Sequence, residues 1–258
     1  MVKHTPRKRF SQNFLIDPQI IAEIIHAIRP SSGDRLIEIG PGLGALTRPL
    51  LQIVDHLHAI EIDRDIVKQL RLEFPEEKLT IHSADALKFD FSQLGNRLRI
   101  IGNLPYNIST PLLFHLSRFC SYIADMHFML QKEVVERMVA FPSTPDYGRL
   151  SVMLQNYFEM EQILMVPAES FRPVPKVQSA IVRMRPLAQT IIPAEQDSLF
   201  SKIVSSAFSQ RRKTLRNTLR DYLMPEDFDA LALDSGLRAE NLSIVQYARI
   251  VNYLVKVP

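Results

Sequence analysis

Three of the chain's eight glycines fall within Glu38-Ile39-Gly40-Pro41-Gly42-Leu43-Gly44, which follows a short apolar run and opens a helical stretch. Glycine there lets the backbone turn tightly and come close to a nucleotide-like ligand. Gly40-x-Gly42-x-x-Ala45 also fits the loose dinucleotide fingerprint, with Glu61 about 20 residues on. The glycines by themselves therefore leave both a nicotinamide dinucleotide and S-adenosylmethionine open. Glu61 closes the next apolar run, in Ala59-Ile60-Glu61-Ile62-Asp63, where a carboxylate can accept two hydrogen bonds from a ribose diol. Asp85 follows the third run, in Ser83-Ala84-Asp85-Ala86, placed to accept from an adenine amine. In an open parallel sheet these strand ends lie along one crevice, so the three segments converge on one extended nucleoside.

The fourth run leads straight into Asn103-Leu104-Pro105-Tyr106. An exocyclic amine on adenine has its lone pair delocalised into the ring, and attacks a methyl donor only if its hydrogen-bond partners favour the pyramidal form. The Asn103 side-chain oxygen and the Leu104 carbonyl can both accept from that amine, Pro105 fixes the turn, and Tyr106 offers a ring for the base to stack on. No general base is needed during transfer, because the proton can leave afterwards.

These residues need a scaffold, and the pattern supplies one. Asp17-Pro18 starts a helix whose isoleucines recur at helical spacing from Ile20 to Ile28. Apolar runs at 36–39, 57–62, 79–82, 98–101 and 126–130 then alternate with helical stretches at 45–54, 65–74, 111–119 and 133–139. Repeats of this length predict an α/β fold built on a mostly parallel, Rossmann-like sheet covered on both faces. Runs at 162–166 and 179–184 lack an intervening helix and are expected to close the sheet as an antiparallel edge pair. Past the prolines between 186 and 193 only helices are expected, the last opened by a capping box of Ser243 and Gln246. The expected domains are 1–187, a cofactor-binding catalytic domain, and 188–258, a smaller all-helical RNA-binding domain.

The sequence resembles the class I S-adenosylmethionine-dependent adenine N6-methyltransferases through Glu38 to Gly44, Asp85 and Asn103 to Tyr106. Three further segments narrow this to the small-subunit ribosomal RNA adenine dimethyltransferases: Gln12-Asn13-Phe14-Leu15, Phe171-Arg172-Pro173-x-Pro175-x-Val177-x-Ser179-Ala180 and Ala207-Phe208-x-x-Arg211-Arg212-Lys213-Thr214-Leu215-Arg216-Asn217. The resemblance implies that Asn13 and Leu15 contact S-adenosylmethionine and that Gly40 sits against its methionine portion. It implies that Glu61 holds the ribose, that Asp85 binds the adenine, and that Asn103 lies beside the methyl and the target amine. It also implies that Phe171 faces Tyr106 across the substrate base, and that two methyls go to each of two adjacent adenosines in the 3'-terminal hairpin loop of small-subunit rRNA.

Composition agrees. With 258 residues, 46% hydrophobic and 23% charged, the chain is globular, not disordered or collagen-like. The single cysteine, Cys120, cannot form an internal disulfide and is expected to be buried and inert. No Cys/His spacing predicts a metal site, and no run approaches the roughly 18 apolar residues of a membrane span. A cytoplasmic monomer is expected. The net charge is only +3, but Lys3, Arg7, Lys8 and Arg9 cluster before the first helix, and Lys202, Arg211, Arg212, Lys213, Arg216 and Arg220 follow one another with no acid between them. Clusters of this kind suggest a polyanion partner, here ribosomal RNA and the assembling small subunit, gripped on either side of the crevice. Competing readings are a large-subunit rRNA methyltransferase, a ribosome-assembly or transcription factor that has lost the chemistry, and a nicotinamide-dependent oxidoreductase.

Overall fold

A computed structural model describes residues 13–105 and 107–256. Its strands are β1 (Phe14–Leu15), β2 (Arg35–Ile39), β3 (Leu57–Glu61), β4 (Leu79–Ser83), β5 (Leu98–Asn103), β6 (Ile123–Gln131), β7 (Phe158–Val166), β8 (Phe171–Arg172) and β9 (Ser179–Pro186). Its helices are α1 (Pro18–Ile28), α2 (Thr47–Leu50), α3 (Arg64–Glu73), α4 (Ser109–Leu116), α5 (Lys132–Val139), α6 (Arg149–Gln155), α7 (Asp197–Ala207), α8 (Leu215–Thr218), α9 (Pro225–Ala230) and α10 (Ile244–Lys256).

Seven strands form one sheet in the order β4-β3-β2-β5-β6-β9-β7. The chain runs outward from β2 through β3 to β4, then returns to β5 on the other side of β2. That reversal is the topological switch point, where a crevice opens at the carboxyl ends of the strands. The pairs from β4 to β6 are parallel, as the strand-helix alternation predicts, and β9 lies antiparallel to β6 with β7 outside it. Leu36, Ile37, Leu57, Ala59, Leu98 and Ile100 are fully buried, because helices cover both faces of the sheet. Outside the sheet, β1 pairs antiparallel with β8, setting Phe14 opposite Arg172 and Leu15 opposite Phe171.

Helix α1 starts as expected: Asp17 Oδ1 accepts from the N–H groups of Gln19 (3.0 Å) and Ile20 (3.3 Å), with Pro18 at the first position. The Ser243–Gln246 box is present at the start of α10, with Ser243 N–H donating to Gln246 Oε1 at 2.8 Å. The helix expected over 45–54 is only the single turn α2. Pro49 lacks an N–H for a backbone ladder, and Gly44 holds a left-handed conformation at its entry (φ 81°).

The described chain divides into two compact units, 1–135 with 160–186, and 136–159 with 187–258. This differs from the expected boundary for 136–159, which groups with the helical segment although its last two residues open β7. Helix α6 packs against α7, and polar contacts that periodicity does not reveal join the same segments. Asn156 exchanges hydrogen bonds with the backbone of Ile192, Tyr157 OH donates to Asp197 Oδ2 (2.7 Å), and Tyr147 OH donates to the Leu242 carbonyl (2.9 Å). Among the described residues no helix is long and apolar enough to cross a membrane.

Candidate active site

A cavity of about 500 Å³ opens at the switch point, lined by residues of the first unit. Every expected site residue that the structure describes contributes to its wall: Asn13, Leu15, Gly40, Glu61, Asp85, Asn103, Leu104, Pro105 and Phe171. Tyr106 lies outside the described residues, as does the basic cluster Lys3, Arg7, Lys8 and Arg9.

The glycine loop leaves β2 in left-handed turns, with φ of 67° at Gly40 and 55° at Gly42. A Cβ on Gly42 would meet the Phe14 ring at 3.3 Å, so a larger residue there is strained both by its backbone and by its neighbour. Glu61 ends β3 almost buried, and its Oε1 accepts from the Asp63 N–H at 2.8 Å. Burial raises its pKa, the Asp63 charge adds to this, and backbone hydrogen bonds offset part of the rise. The Ala84 N–H donates to the Glu61 carbonyl at 3.1 Å, which carries the β4 loop alongside. Asp85 Oδ1 in that loop accepts from the Leu87 N–H at 3.0 Å, and the residue lines the cavity.

Asn103 ends β5, one residue after Gly102, where a Cβ would come within 2.6 Å of the Ile39 carbonyl. Only glycine lets β5 pass β2 at that point. The Asn103 amide is oriented by an unexpected partner: Nδ2 donates to the Asn13 carbonyl at 3.2 Å. A carbonyl accepts only from the amide nitrogen, so this contact turns Asn103 Oδ1 the other way, as an acceptor. Leu104 is buried and its N–H donates to the Met129 carbonyl at 3.2 Å. Phe171 lines the cavity, and the Tyr106 ring it is expected to face lies outside the described residues. At 1% exposure Phe171 belongs to the apolar cluster with Leu15, Ile101 and Met129.

Glu38 is the residue whose role sequence reasoning missed, although it was visible as a lone acid in an apolar strand. It is 2% exposed, lines the cavity and accepts from Thr47 Oγ1 at 2.6 Å. Burial, with the nearby Glu61 charge adding to it, raises its pKa from 4.5 to about 7 against the opposing Thr47 hydrogen bond. Between those two pH values the folded protein holds a proton that the unfolded chain has released, so stability falls as pH rises through that window. Glu38→Gln is therefore expected to be more stable than the parent by on the order of 2–3 kcal/mol at pH 8 and equal to it near pH 4, measured by urea unfolding. An equal difference at both pH values would contradict it.

The acceptors in the cavity wall bear on the two cofactors that the glycines left open. Glu38, Glu61 and Asp85 face the cavity, and the guanidinium of Arg48, also in its wall, is paired with Glu73. Such a lining offers acceptors that suit the hydroxyl and amine donors of a nucleoside. Among the described residues no group of three or more His, Cys, Asp or Glu is placed to hold a metal ion. The Cys120 thiol is only partly buried, yet burial pushes its pKa up to about 12, which leaves it unreactive.

Sheet order, glycine loop and acidic strand ends together define a class I S-adenosylmethionine-dependent methyltransferase. A model of the family described as ribosomal RNA adenine dimethylase matches residues 3–256, and the chain belongs to that family. It is 71% identical over 250 residues to a protein of Nitrosomonas europaea named ribosomal RNA small subunit methyltransferase A, covering 97% of each chain. Its identity to the protein of that name from Nitrosospira multiformis is 66%, covering 99% of each. Among solved structures it resembles a dimethyladenosine transferase of Plasmodium falciparum (TM-score 0.78, 26% identity, 94% of this chain and 98% of that one). It also resembles the 23S rRNA methyltransferase ErmE (TM-score 0.72, 26% identity, 95% and 100%).

Proposed function

We propose that this protein transfers methyl groups from S-adenosylmethionine to the N6 amines of adenosines in small-subunit ribosomal RNA, placing two on each of two adjacent adenosines in the 3'-terminal hairpin loop. The observation that carries the reading is the Asn103 amide, held by the Asn13 carbonyl so that Oδ1 is presented as an acceptor beside the acidic cavity. When bound, the cofactor supplies an electrophilic methyl group on a sulfonium centre. Glu61 accepts from its ribose hydroxyls, Asp85 from its adenine amine, and Gly40, Asn13 and Leu15 flank its methionine portion. Asn103 Oδ1 and the Leu104 carbonyl accept from the two hydrogens of the target amine and direct its lone pair into the cavity. Leu104 is fixed for this by its own N–H bond to β6. After transfer the surplus proton leaves to solvent, and one N–H remains for the second round. Tyr106 stacks on the base, and Phe171 closes the wall behind it.

The helical segment 188–258 and both basic clusters bind the RNA. The protein acts as a monomer in the cytoplasm, on the assembling small subunit. Glu61→Ala removes the ribose acceptor, so calorimetry is expected to show S-adenosylmethionine affinity falling by about 1.5–3 kcal/mol, roughly 10- to 150-fold. Tight binding of a nicotinamide dinucleotide with no binding of S-adenosylmethionine would overturn the reading.

A further inference from the structure

The loop 173–178 carries exposed apolar side chains that the site described above does not use. Val174 is 52% and Val177 42% exposed, and Arg172 and Lys176 beside them are exposed as well. Isolated exposed apolar residues are ordinary. These two valines, however, alternate with prolines and cations on one loop, and both ends of that loop are anchored around Asn103.

At the entry, β8 pairs with β1 so that Arg172 lies opposite Phe14. The chain therefore leaves the ladder at Pro173 alongside Asn13, whose carbonyl holds the Asn103 amide. At the exit, the Lys132 N–H donates to the Gln178 carbonyl at 3.0 Å, and Ser179 then pairs with Gln131 on β6. That is two residues beyond Met129, which pairs with Asn103. Pro173 and Pro175 each fix a φ angle between these anchors, so little ordering is left for the moment of binding.

An adenosine can reach Asn103 only by leaving its stack, and the gap it leaves exposes the faces of its neighbours. Apolar side chains fill such gaps in nucleic acids, and cations beside them meet the flanking phosphates. We propose that Val174 and Val177 form a wedge that occupies the gap in the RNA stack when the target adenosine enters the cavity, with Arg172 and Lys176 on the adjoining phosphates. The partner is structured RNA, and the proposal rests on the reading of this protein as an RNA adenosine methyltransferase.

The test compares two substrates, unmethylated small-subunit particles and a short unstructured oligoribonucleotide containing the same adenosines. In the structured substrate a gap must be filled; in the flexible strand none persists. For the Val174→Ser/Val177→Ser double variant, the ratio of single-turnover rates on particle and strand is expected to fall roughly 30-fold relative to the parent, with S-adenosylmethionine affinity unchanged. Val174→Leu/Val177→Leu keeps an apolar filler and is expected to keep most of the ratio. Equal losses on both substrates would show that the loop shapes the catalytic site and would overturn the wedge, as would an unchanged ratio. A parent protein that methylates neither substrate would overturn the methyltransferase reading itself, and the wedge with it.

Discussion

Asn103→Ala is expected to lower the single-turnover rate of methyl transfer by roughly 10²- to 10³-fold while leaving S-adenosylmethionine and RNA affinity within a few-fold of the parent. The size follows from the role proposed for the side chain. The adenine amine becomes nucleophilic only as its nitrogen pyramidalises, and an acceptor aimed at its hydrogens interacts more strongly with that state than with the planar ground state. The Asn103 amide is already oriented in the structure by its bond to the Asn13 carbonyl, so no reorganisation is required when the amine arrives. Rapid-quench methylation of small-subunit particles gives the rate, and calorimetry and filter binding give the affinities. Near-normal turnover would remove Asn103 from the mechanism; a loss confined to binding would make it a recognition residue.

The second large effect concerns the cations of the helical segment. Arg212, Lys213 and Arg216 are exposed, whereas Arg211 already donates to the Pro145 carbonyl (3.0 Å) and lies 3.5 Å from Glu240. Neutralising Arg212, Lys213 and Arg216 to Gln together is expected to weaken particle binding by up to about tenfold per lost phosphate contact and to flatten the salt dependence by nearly one log unit per contact. Cofactor affinity should be untouched. Arg211→Gln is expected to have a smaller salt signature, because part of its role is to hold the loop at 143–145. An unchanged salt slope in the triple variant would mean that RNA is bound elsewhere.

Much of the architecture was legible because it rests on short-range patterns. Parallel strands buried on both faces read as continuous apolar runs, and Glu61 and Asp85 sit at or just past the ends of such runs, where the fold brings them to the crevice. Glu61, Asp85 and Asn103 were therefore recognisable before any contact was known. What stayed hidden depends on partners far away in sequence. The Asn13 carbonyl that orients Asn103 is a backbone atom 90 residues distant and leaves no trace in residue type. The raised pKa of Glu38 follows from burial, which a single acid in an apolar strand hints at but does not measure. Segment 136–159 carries a helical period that fits either unit, and its packing of α6 against α7 and its bonds to Ile192, Asp197 and Leu242 place it with the second. The burial of Phe171 in the apolar cluster beneath the cavity likewise depends on the pairing of β8 with β1, two segments far apart in sequence.

Of the competing readings, an oxidoreductase conflicts with family membership. A large-subunit specificity has the weaker support, since identity to ErmE is 26% against 71% to the small-subunit methyltransferase of Nitrosomonas europaea.

The most direct test is to incubate the purified protein and isotopically methyl-labelled S-adenosylmethionine with small-subunit particles from cells lacking this activity, and to map the label by mass spectrometry of rRNA fragments. The expected result is four methyl groups on two adjacent adenosines of the 3'-terminal hairpin loop of small-subunit RNA, all as N6,N6-dimethyladenosine. Label in large-subunit RNA when both subunits are offered, or no label on adenosine at all, would contradict it.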